Sequence, residues 1–366
     1  ELRPDQQEAI TQVLAHDQGI LSAPTAFGKT VVGACLIARR AVNTLILVHR
    51  RQLMDQWRER LSAFLCMPIV QIGQIGGGKT KRTGAIDVAL IQSLQRKGEV
   101  KDFVADYGQI IVDECHHLSA FTFEQVLRQA RAKYILGLTA TPTRNDGHHP
   151  ILFMQCGPIR YHRSAKGDAA SSSLEHKVIP RYTTFLCPVL EDSATIQDIY
   201  AALVSDKARN DMIIQDLKEA LAAGRSPLVL TSRTEHLKHL AECLSGIPFQ
   251  VFILKGGMGA KQRKKLAESI AAVPSGDPRV LLATGSYIGE GFDDPQLDTL
   301  FLAMPVSWKG TLQQYVGRLH RLDENKTEVR VYDYADVQVP MLARMYKKRL
   351  AGYAALGYTL NECPQT

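Results

Sequence analysis

Two segments of this chain end in Gly-Lys-Thr, a triplet suited to holding a phosphate group. The lysine ammonium supplies counter-charge, the hydroxyl can ligate magnesium, and the glycine lets the backbone approach the anion. The first segment, Ala23-Pro24-Thr25-Ala26-Phe27-Gly28-Lys29-Thr30, lacks the leading glycine of the usual phosphate-loop pattern, whereas residues 73–80, Gly-Gln-Ile-Gly-Gly-Gly-Lys-Thr, match it completely. Context decides against the literal match. A phosphate loop leaves a strand and opens a helix, so that free N–H groups at the helix N-terminus face the anion. An apolar strand at 19–22 precedes the first segment and a run of helix formers, 31–40, follows it. The second segment runs into Lys81-Arg82-Thr83-Gly84, and Gly84 opposes a helix. ATP phosphates are therefore assigned to Thr25, Ala26, Phe27, Gly28, Lys29 and Thr30, with Lys29 on the β- and γ-phosphates and the Thr30 hydroxyl on Mg2+. The second segment reads either as a glycine loop beside a nucleic-acid phosphate, through Gly77, or as a plain surface turn.

Hydrolysis of magnesium-ATP also needs one group to hold the metal and another to take a proton from water. Ile110-Ile111-Val112-Asp113-Glu114-Cys115-His116-His117 is an apolar strand ending in two carboxylates. Asp113 suits the metal, through its bound waters, and Glu114 suits the base. The cysteines and histidines at 115–117, 148, 149 and 156 are zinc-binding residue types, but no two cysteines stand at Cys-x-x-Cys spacing.

These side chains need a scaffold that brings strand ends together. Residues 19–22, 44–48, 69–72, 86–90, 109–112 and 134–138 read as strands, with helical patterns at 4–16, 29–40 and 50–64. Strands alternating with helices predict a parallel sheet covered on both faces. The alternation restarts with strands at 228–231, 249–254, 280–284, 299–303 and 329–332. Between the halves the small, polar stretch 164–180 marks a connection. The expected organisation is α/β: two tandem doubly wound parallel-sheet domains, 1–165 and 191–366, joined by a linker region at 166–190, with an ATP cleft between them.

Forty-four Lys and Arg against 37 Asp and Glu leave a charge of +7, which favours a polyanionic partner. No run is apolar for long enough to span a bilayer, and residues 1–5 do not form a signal peptide. Seven scattered cysteines read as reduced thiols of a cytoplasmic protein, nucleoid-associated in a bacterium or nuclear in a eukaryote. Further domains or subunits of a larger complex are expected as partners, and a membrane is not.

In order along nearly the whole chain, these segments resemble superfamily 2 helicases of the DEAD/DEAH-like group, whose domains are RecA-like. Residues 23–30 are similar to motif I, and Asp113-Glu114-Cys115-His116 to motif II. Leu2-Arg3-Pro4-Asp5-Gln6-Gln7 resembles the N-terminal glutamine motif, which implies that Gln6 reads adenine with Arg3 nearby. Leu47-Val48-His49-Arg50 resembles motif Ia, and Thr139-Ala140-Thr141 resembles motif III. In the second half, Thr284-Gly285 and Gly289-Glu290-Gly291-Phe292-Asp293 resemble motif V, which adds Gly291 and Asp293 to the nucleotide contacts. Gln314-Tyr315-Val316-Gly317-Arg318-Leu319-His320-Arg321 resembles motif VI; helical spacing would set Gln314, Arg318 and Arg321 on one face. The resemblance implies that Arg318 and Arg321 are arginine fingers supplied to the ATP by the second domain.

The nearest likeness is to XPB-like duplex translocases and restriction-type helicase modules. It is carried by Asp-Glu-Cys-His-His-Leu at 113–118 and by residues 136–147, where Arg144-Asn145-Asp146 stands in place of an Arg-Glu-Asp triplet. Candidate nucleic-acid contacts are Arg50, Gly77, Gln92, Ser93, Thr141 and Arg144 in the first half, and Arg233, Lys255, Gly256, Thr284 and Gly285 in the second. The basic turn 255–265 either grips phosphates or is a solvated helix face, Trp57 and Trp308 read as packing residues, and 344–350 reads as a basic surface helix. The expected function is ATP-driven movement along a nucleic acid, DNA favoured over RNA. An RNA-directed remodeller and an ATP-gated binding module without processive movement are the alternatives.

Overall fold

Strand β2 (Thr44–Val48), Thr-Leu-Ile-Leu-Val, buries every residue. A run without polar alternation is stable only inside a sheet covered on both faces. The computed structural model describes residues 2–361 except 25–26, 97, 116–119, 141–148, 165–173, 189–194, 247, 275, 289–293, 307–308, 321–322 and 324–325. It divides the chain into two units, Glu1–Ser164 and Ala165–Thr366.

The first unit opens with α1 (Pro4–Leu14), then β1 (Gln18–Ser22), α2 (Lys29–Arg40), β2 and α3 (Arg51–Phe64). Next come β3 (Ile72–Gly76), β4 (Lys79–Lys81), β5 (Ile86–Leu90) and the short pair β6 (Gln95–Arg96) and β7 (Glu99–Val100). Strand β8 (Gln109–Asp113), α4 (Ala120–Gln129), β9 (Tyr134–Thr139), α5 (His149–Cys156) and β10 (Ile159–His162) complete it. The main sheet runs β10-β1-β9-β8-β2-β5-β3-β4, parallel throughout except for β3–β4. Successive residues point to opposite faces. Ile46, Val48 and Ile111 therefore enter one core with Leu36 and Trp57. Leu45, Leu47, Ile110 and Val112 enter the other with Phe123 and Val126.

Two expectations change here. Residues 69–72 do not form a strand: Ile69–Gln71 is a 3-10 turn after Pro68, and the strand begins at Ile72. The Arg58 guanidinium caps this turn, donating to the Ile69 and Ile72 carbonyls at 3.2 Å each, through Nη2 and Nε. The complete Gly-Lys-Thr match at 73–80 is a hairpin: β3 and β4 pair antiparallel, and Gly77 (φ 64°) and Gly78 (φ 85°) make the turn. Two successive left-handed residues match the twist of a two-residue hairpin, which is why glycines stand there.

In the second unit, β11 (Glu175–Tyr182) lies within the stretch read as a linker and pairs along its length with β16 (Glu328–Ala335). Between them come α6 (Ile196–Ser205), α7 (Lys207–Ala222), β12 (Pro227–Thr231), α8 (Thr234–Cys243) and β13 (Gln250–Leu254). There follow α9 (Ala260–Ala271), β14 (Arg279–Thr284), α10 (Gly285–Ile288), β15 (Thr299–Leu302) and α11 (Lys309–Val316); α12 (Pro340–Ala355) and β17 (Thr359–Leu360) come after β16. All seven strands are parallel, in the order β13-β14-β12-β15-β16-β11-β17. The segment 344–350 is only partly a surface helix. Arg344, Lys347 and Lys348 are exposed, but Arg349 is buried and donates to both Asp333 carboxylate oxygens at 2.7 and 2.8 Å.

Two imidazoles of this unit are held neutral. Asn210 commits its Nδ2 to the Val204 carbonyl, so its Oδ1 accepts from His236 Nε2 at 2.9 Å, and His236 Nδ1 accepts the Thr231 hydroxyl at 3.1 Å. Burial first, then Arg209 and His239, push the His236 pKa down to about 3. His320 pairs with the Tyr358 hydroxyl at 2.9 Å and meets His176 edge-on; burial, then His176 and Lys326, push it to about 3. The unfolded chain takes up these protons near 6.5 and the folded one does not, so stability is full above that value and falls as pH drops below it. At about 1.36 kcal/mol per pH unit per group, the pair removes about 4 kcal/mol by pH 5. The second unit should unfold at lower temperature at pH 5 than at pH 7, and neither imidazole should titrate by NMR over that range. Titration of either near 6.5 would show that it is not held neutral.

Candidate nucleotide and nucleic-acid sites

In parallel sheets, functional loops gather at the carboxyl ends of the strands. The phosphate loop leaves β1, and Ala23 N donates to the Thr139 carbonyl at the end of β9, at 3.0 Å. Lys29 is the first residue of α2, and its N-cap is Gly28. Two constraints demand glycine at 28. Its φ is 85°, and a Cβ there would meet Gln6 Nε2 at 2.7 Å. Gln6 is buried on α1, donates Nε2 to the Phe27 carbonyl at 2.8 Å and accepts Arg3 N on Oε1 at 3.0 Å. Arg3 Nη2 reaches the same carbonyl at 2.5 Å, and its guanidinium lies over the Phe27 ring. The glutamine expected beside adenine thus also ties the first helix to the phosphate loop.

The Lys29 side chain is 7% exposed; its Nζ donates to the Ala23 and Pro24 carbonyls at 3.1 and 3.4 Å and lies 3.8 Å from Glu114 Oε1. Glu114 has φ 46°, one of three described non-glycine residues in the left-handed region. That conformation costs on the order of 1–3 kcal/mol. Here it accompanies the turn at the end of β8, with the Glu114 carboxylate beside Lys29. Asp113, the last residue of β8, is buried, and its Oδ1 accepts Glu114 N at 3.0 Å. Burial and then the Glu114 charge raise its pKa, against the opposing pull of the Trp57 hydrogen bond and Lys29. A hydroxyl and a carboxylate, Thr30 and Asp113, are hard oxygen donors of the kind Mg2+ prefers. A divalent cation beside Asp113 would offset the repulsion it feels from Glu114, so the residues present fit that ion.

Trp57 is the residue the sequence reading undervalued. It packs as expected, 2% exposed, but its indole Nε1 also donates to Asp113 Oδ2 at 2.7 Å. The available signal was Gly33 within α2: a Cβ there would meet Trp57 Cη2 at 2.8 Å. Arg60, one turn further along α3, was also missed; its Nη1 donates to Thr30 Oγ1 at 3.4 Å.

The other first-unit candidates sit along the same sheet edge. Arg50 follows β2, Gln92 and Ser93 follow β5, and Gly77 follows β3. Gln92 Nε2 donates to the His49 carbonyl at 3.3 Å, and a Cβ at Gly76 would meet Ser93 Oγ at 2.5 Å. The edge is therefore divided: β1, β9 and β8 carry the phosphate loop and carboxylates, while β2, β5 and β3 carry the candidate nucleic-acid contacts.

In the second unit Arg233 follows β12, Lys255 and Gly256 follow β13, and Thr284 and Gly285 lie where β14 meets α10. These strands are neighbours, in the order β13-β14-β12, so the residues share one edge. Lys255 and Gly256 are exposed, while Arg233 is held by Gln197. A Cβ at Gly285 would lie 2.0 Å from the Tyr315 hydroxyl of motif VI, so glycine is required there by close approach. Gln314 lies on α11, but that helix ends at Val316 and tightens into 3-10-type turns, with Arg318 N donating to the Tyr315 carbonyl at 3.1 Å. The described residues 314–320 therefore do not form one helical face; Arg318 is 8% exposed. Thr25, Ala26, Thr141, Arg144, Gly291, Asp293 and Arg321, with His116 and His117, lie outside the described residues.

The model of the type III restriction enzyme res subunit matches residues 1–144, and the helicase conserved C-terminal domain matches 211–323. The "DNA 3'-5' translocase XPB2" of Sulfurisphaera tokodaii is 27% identical over 89% of this chain and 79% of its own length. A protein of Acanthamoeba polyphaga mimivirus, named provisionally as an ATP-dependent RNA helicase, is 26% identical over 95% of this chain and 66% of its own length. A fragment structure from Vibrio vulnificus, assigned provisionally to the HsdR subunit of a type I restriction enzyme, superposes with a TM-score of 0.71 at 20% identity, over 98% of this chain and 68% of that one. The fold is thus a pair of RecA-like parallel-sheet units. The chain belongs to the superfamily 2 helicases, ATP-hydrolysing enzymes, near the XPB-like and restriction-type members.

Proposed function

We propose that this chain is a motor that couples ATP hydrolysis to movement along DNA. The observation that carries the reading is the convergence of Lys29, Asp113 and Glu114 at one sheet edge, with the motif Ia residues on the adjoining strands. Lys29 exchanges its two carbonyl contacts for the β- and γ-phosphates, a stronger charge-assisted pairing. Thr30 and Asp113 hold Mg2+, which when bound neutralises phosphate charge. The Glu114 carboxylate takes the proton from the attacking water, and Arg318 and Arg321 add cationic charge in the transition state. Arg50, Gly77, Gln92 and Ser93, with Arg233, Lys255 and Thr284, hold the nucleic-acid backbone without reading sequence, so binding weakens steeply with salt. Among the described residues, no helix is long and apolar enough to cross a membrane.

The XPB2 relative, named a DNA translocase, supports DNA as the substrate. The mimivirus relative favours an RNA-directed activity as the second reading. ATP turnover measured in parallel with duplex DNA, single-stranded DNA and RNA should rise most with DNA. Stimulation by RNA alone would overturn the DNA assignment. ATP-dependent displacement of a triplex-forming strand is expected, and its absence with turnover intact would refute movement.

A further inference from the structure

Helix α3 joins the two halves of the first unit's carboxyl edge. It follows β2, so it begins at Arg50, on the nucleic-acid half. Its first residue, Arg51, lies against the hairpin turn: a Cβ at Gly77 would sit 3.3 Å from Arg51 Nε. The helix has 14 residues, a length of roughly 21 Å. Two of its later side chains, Trp57 and Arg60, stand three apart and share a face. They end on the two oxygens assigned to the metal. Trp57 Nε1 donates to Asp113 Oδ2 at 2.7 Å, and Arg60 Nη1 donates to Thr30 Oγ1 at 3.4 Å.

The two contacts act in opposite senses. A buried neutral N–H fixes the orientation of a carboxylate without adding charge, as donors behind metal ligands do. With Glu114 N on Oδ1 and Trp57 on Oδ2, both Asp113 oxygens are aimed. A guanidinium on Thr30 Oγ1 instead places positive charge where a cation would have to sit. Gly33 keeps the arrangement close. Glycine inside a helix costs about 1 kcal/mol relative to alanine, and here it clears the Trp57 ring.

We propose that α3 carries nucleic-acid occupancy to the metal site, with Trp57 positioning Asp113 and Arg60 competing for Thr30 until a bound backbone at the start of α3 draws it away. This rests on the magnesium-ATP reading above. Release of Arg60 with Trp57 still on Asp113 links the two ends, so a ligand at Arg50 and Gly77 changes metal affinity and metal changes affinity for that ligand by the same factor.

The test titrates Mn2+ by electron paramagnetic resonance into the full chain with ADP, with and without duplex DNA or RNA. The unsubstituted chain should bind Mn2+ more tightly when the stimulating nucleic acid is present. Trp57→Phe keeps an aromatic ring but loses the donor, and should weaken Mn2+ binding by about 10-fold or more. Arg60→Gln should tighten Mn2+ binding without nucleic acid and abolish the further gain from adding it. Arg60 is only partly buried, so this variant carries the test alone should Trp57→Phe fail to fold. Wild-type Mn2+ affinity in folded Trp57→Phe and Arg60→Gln, or no effect of nucleic acid on Mn2+ binding, would overturn the coupling while leaving the ATP site standing. If the unsubstituted chain binds no Mn2+–ADP at all, the magnesium-ATP reading falls and this inference falls with it.

Discussion

Lys29→Ala should lower ATP turnover about 10²–10³-fold, the scale on which loss of a preorganised charge stabiliser acts. Lys29 is the cation at the mouth of the loop, held by two carbonyls and 3.8 Å from Glu114. Alanine removes the charge that would meet the phosphates and leaves the helix N-terminus in place. The fold should survive, since a small helix former replaces a buried ammonium, and circular dichroism checks this. Lys79→Ala is the control. Lys79 belongs to an exposed hairpin strand, and its loss should leave basal turnover unchanged. Equal loss in both variants, or unchanged turnover in Lys29→Ala, would return the assignment to the segment that matches the pattern literally.

Glu114→Gln should retain nucleotide binding and slow hydrolysis by about 10²–10⁴-fold, the usual worth of a positioned general base. Glutamine has nearly the same shape and can still sit in the left-handed turn, but its amide cannot accept the proton. It also removes one of the two negative charges at the end of β8, which relieves Asp113 of its second-largest upward influence. Binding of a fluorescent ATP analogue should therefore be equal or tighter. Loss of binding in a folded protein would mean that Glu114 holds the nucleotide rather than activating water.

Choosing between the two Gly-Lys-Thr segments shows how far local sequence reaches. Gly84 and the residues around it oppose a helix, and the segment at 73–80 is in fact a hairpin closed by Gly77 and Gly78. Strand β2 and helix α2 have the bounds their patterns predict, because a continuous apolar run and a 3.6-residue stripe are strong local signals. The short run at 69–72 was ambiguous for the same reason: three apolar residues and a glutamine after a proline carry no period, and Arg58, eleven residues from Ile69, holds the turn they form. The helical reading that begins at 314 stops at Val316, after which the chain tightens into 3-10-type turns. Arg349 looked like a surface charge because its partner, Asp333, lies on a different element.

Sequence alone determined the alternation of strands and helices in two parallel-sheet halves, and the residue types that could meet a phosphate, a metal and a water. Those depend on neighbours along the chain: strand before loop, helix after it, carboxylates at a strand end. Tertiary structure decided what the side chains touch across the sheet. Only the strand order brings the ends of β1 and β8 close enough for Lys29 to meet Glu114. Only the packing of α3 against α2 places an indole N–H on Asp113 and explains a glycine at 33. Hydrogen bonds act over about 3 Å between residues dozens of positions apart, and no local pattern records which of them will meet.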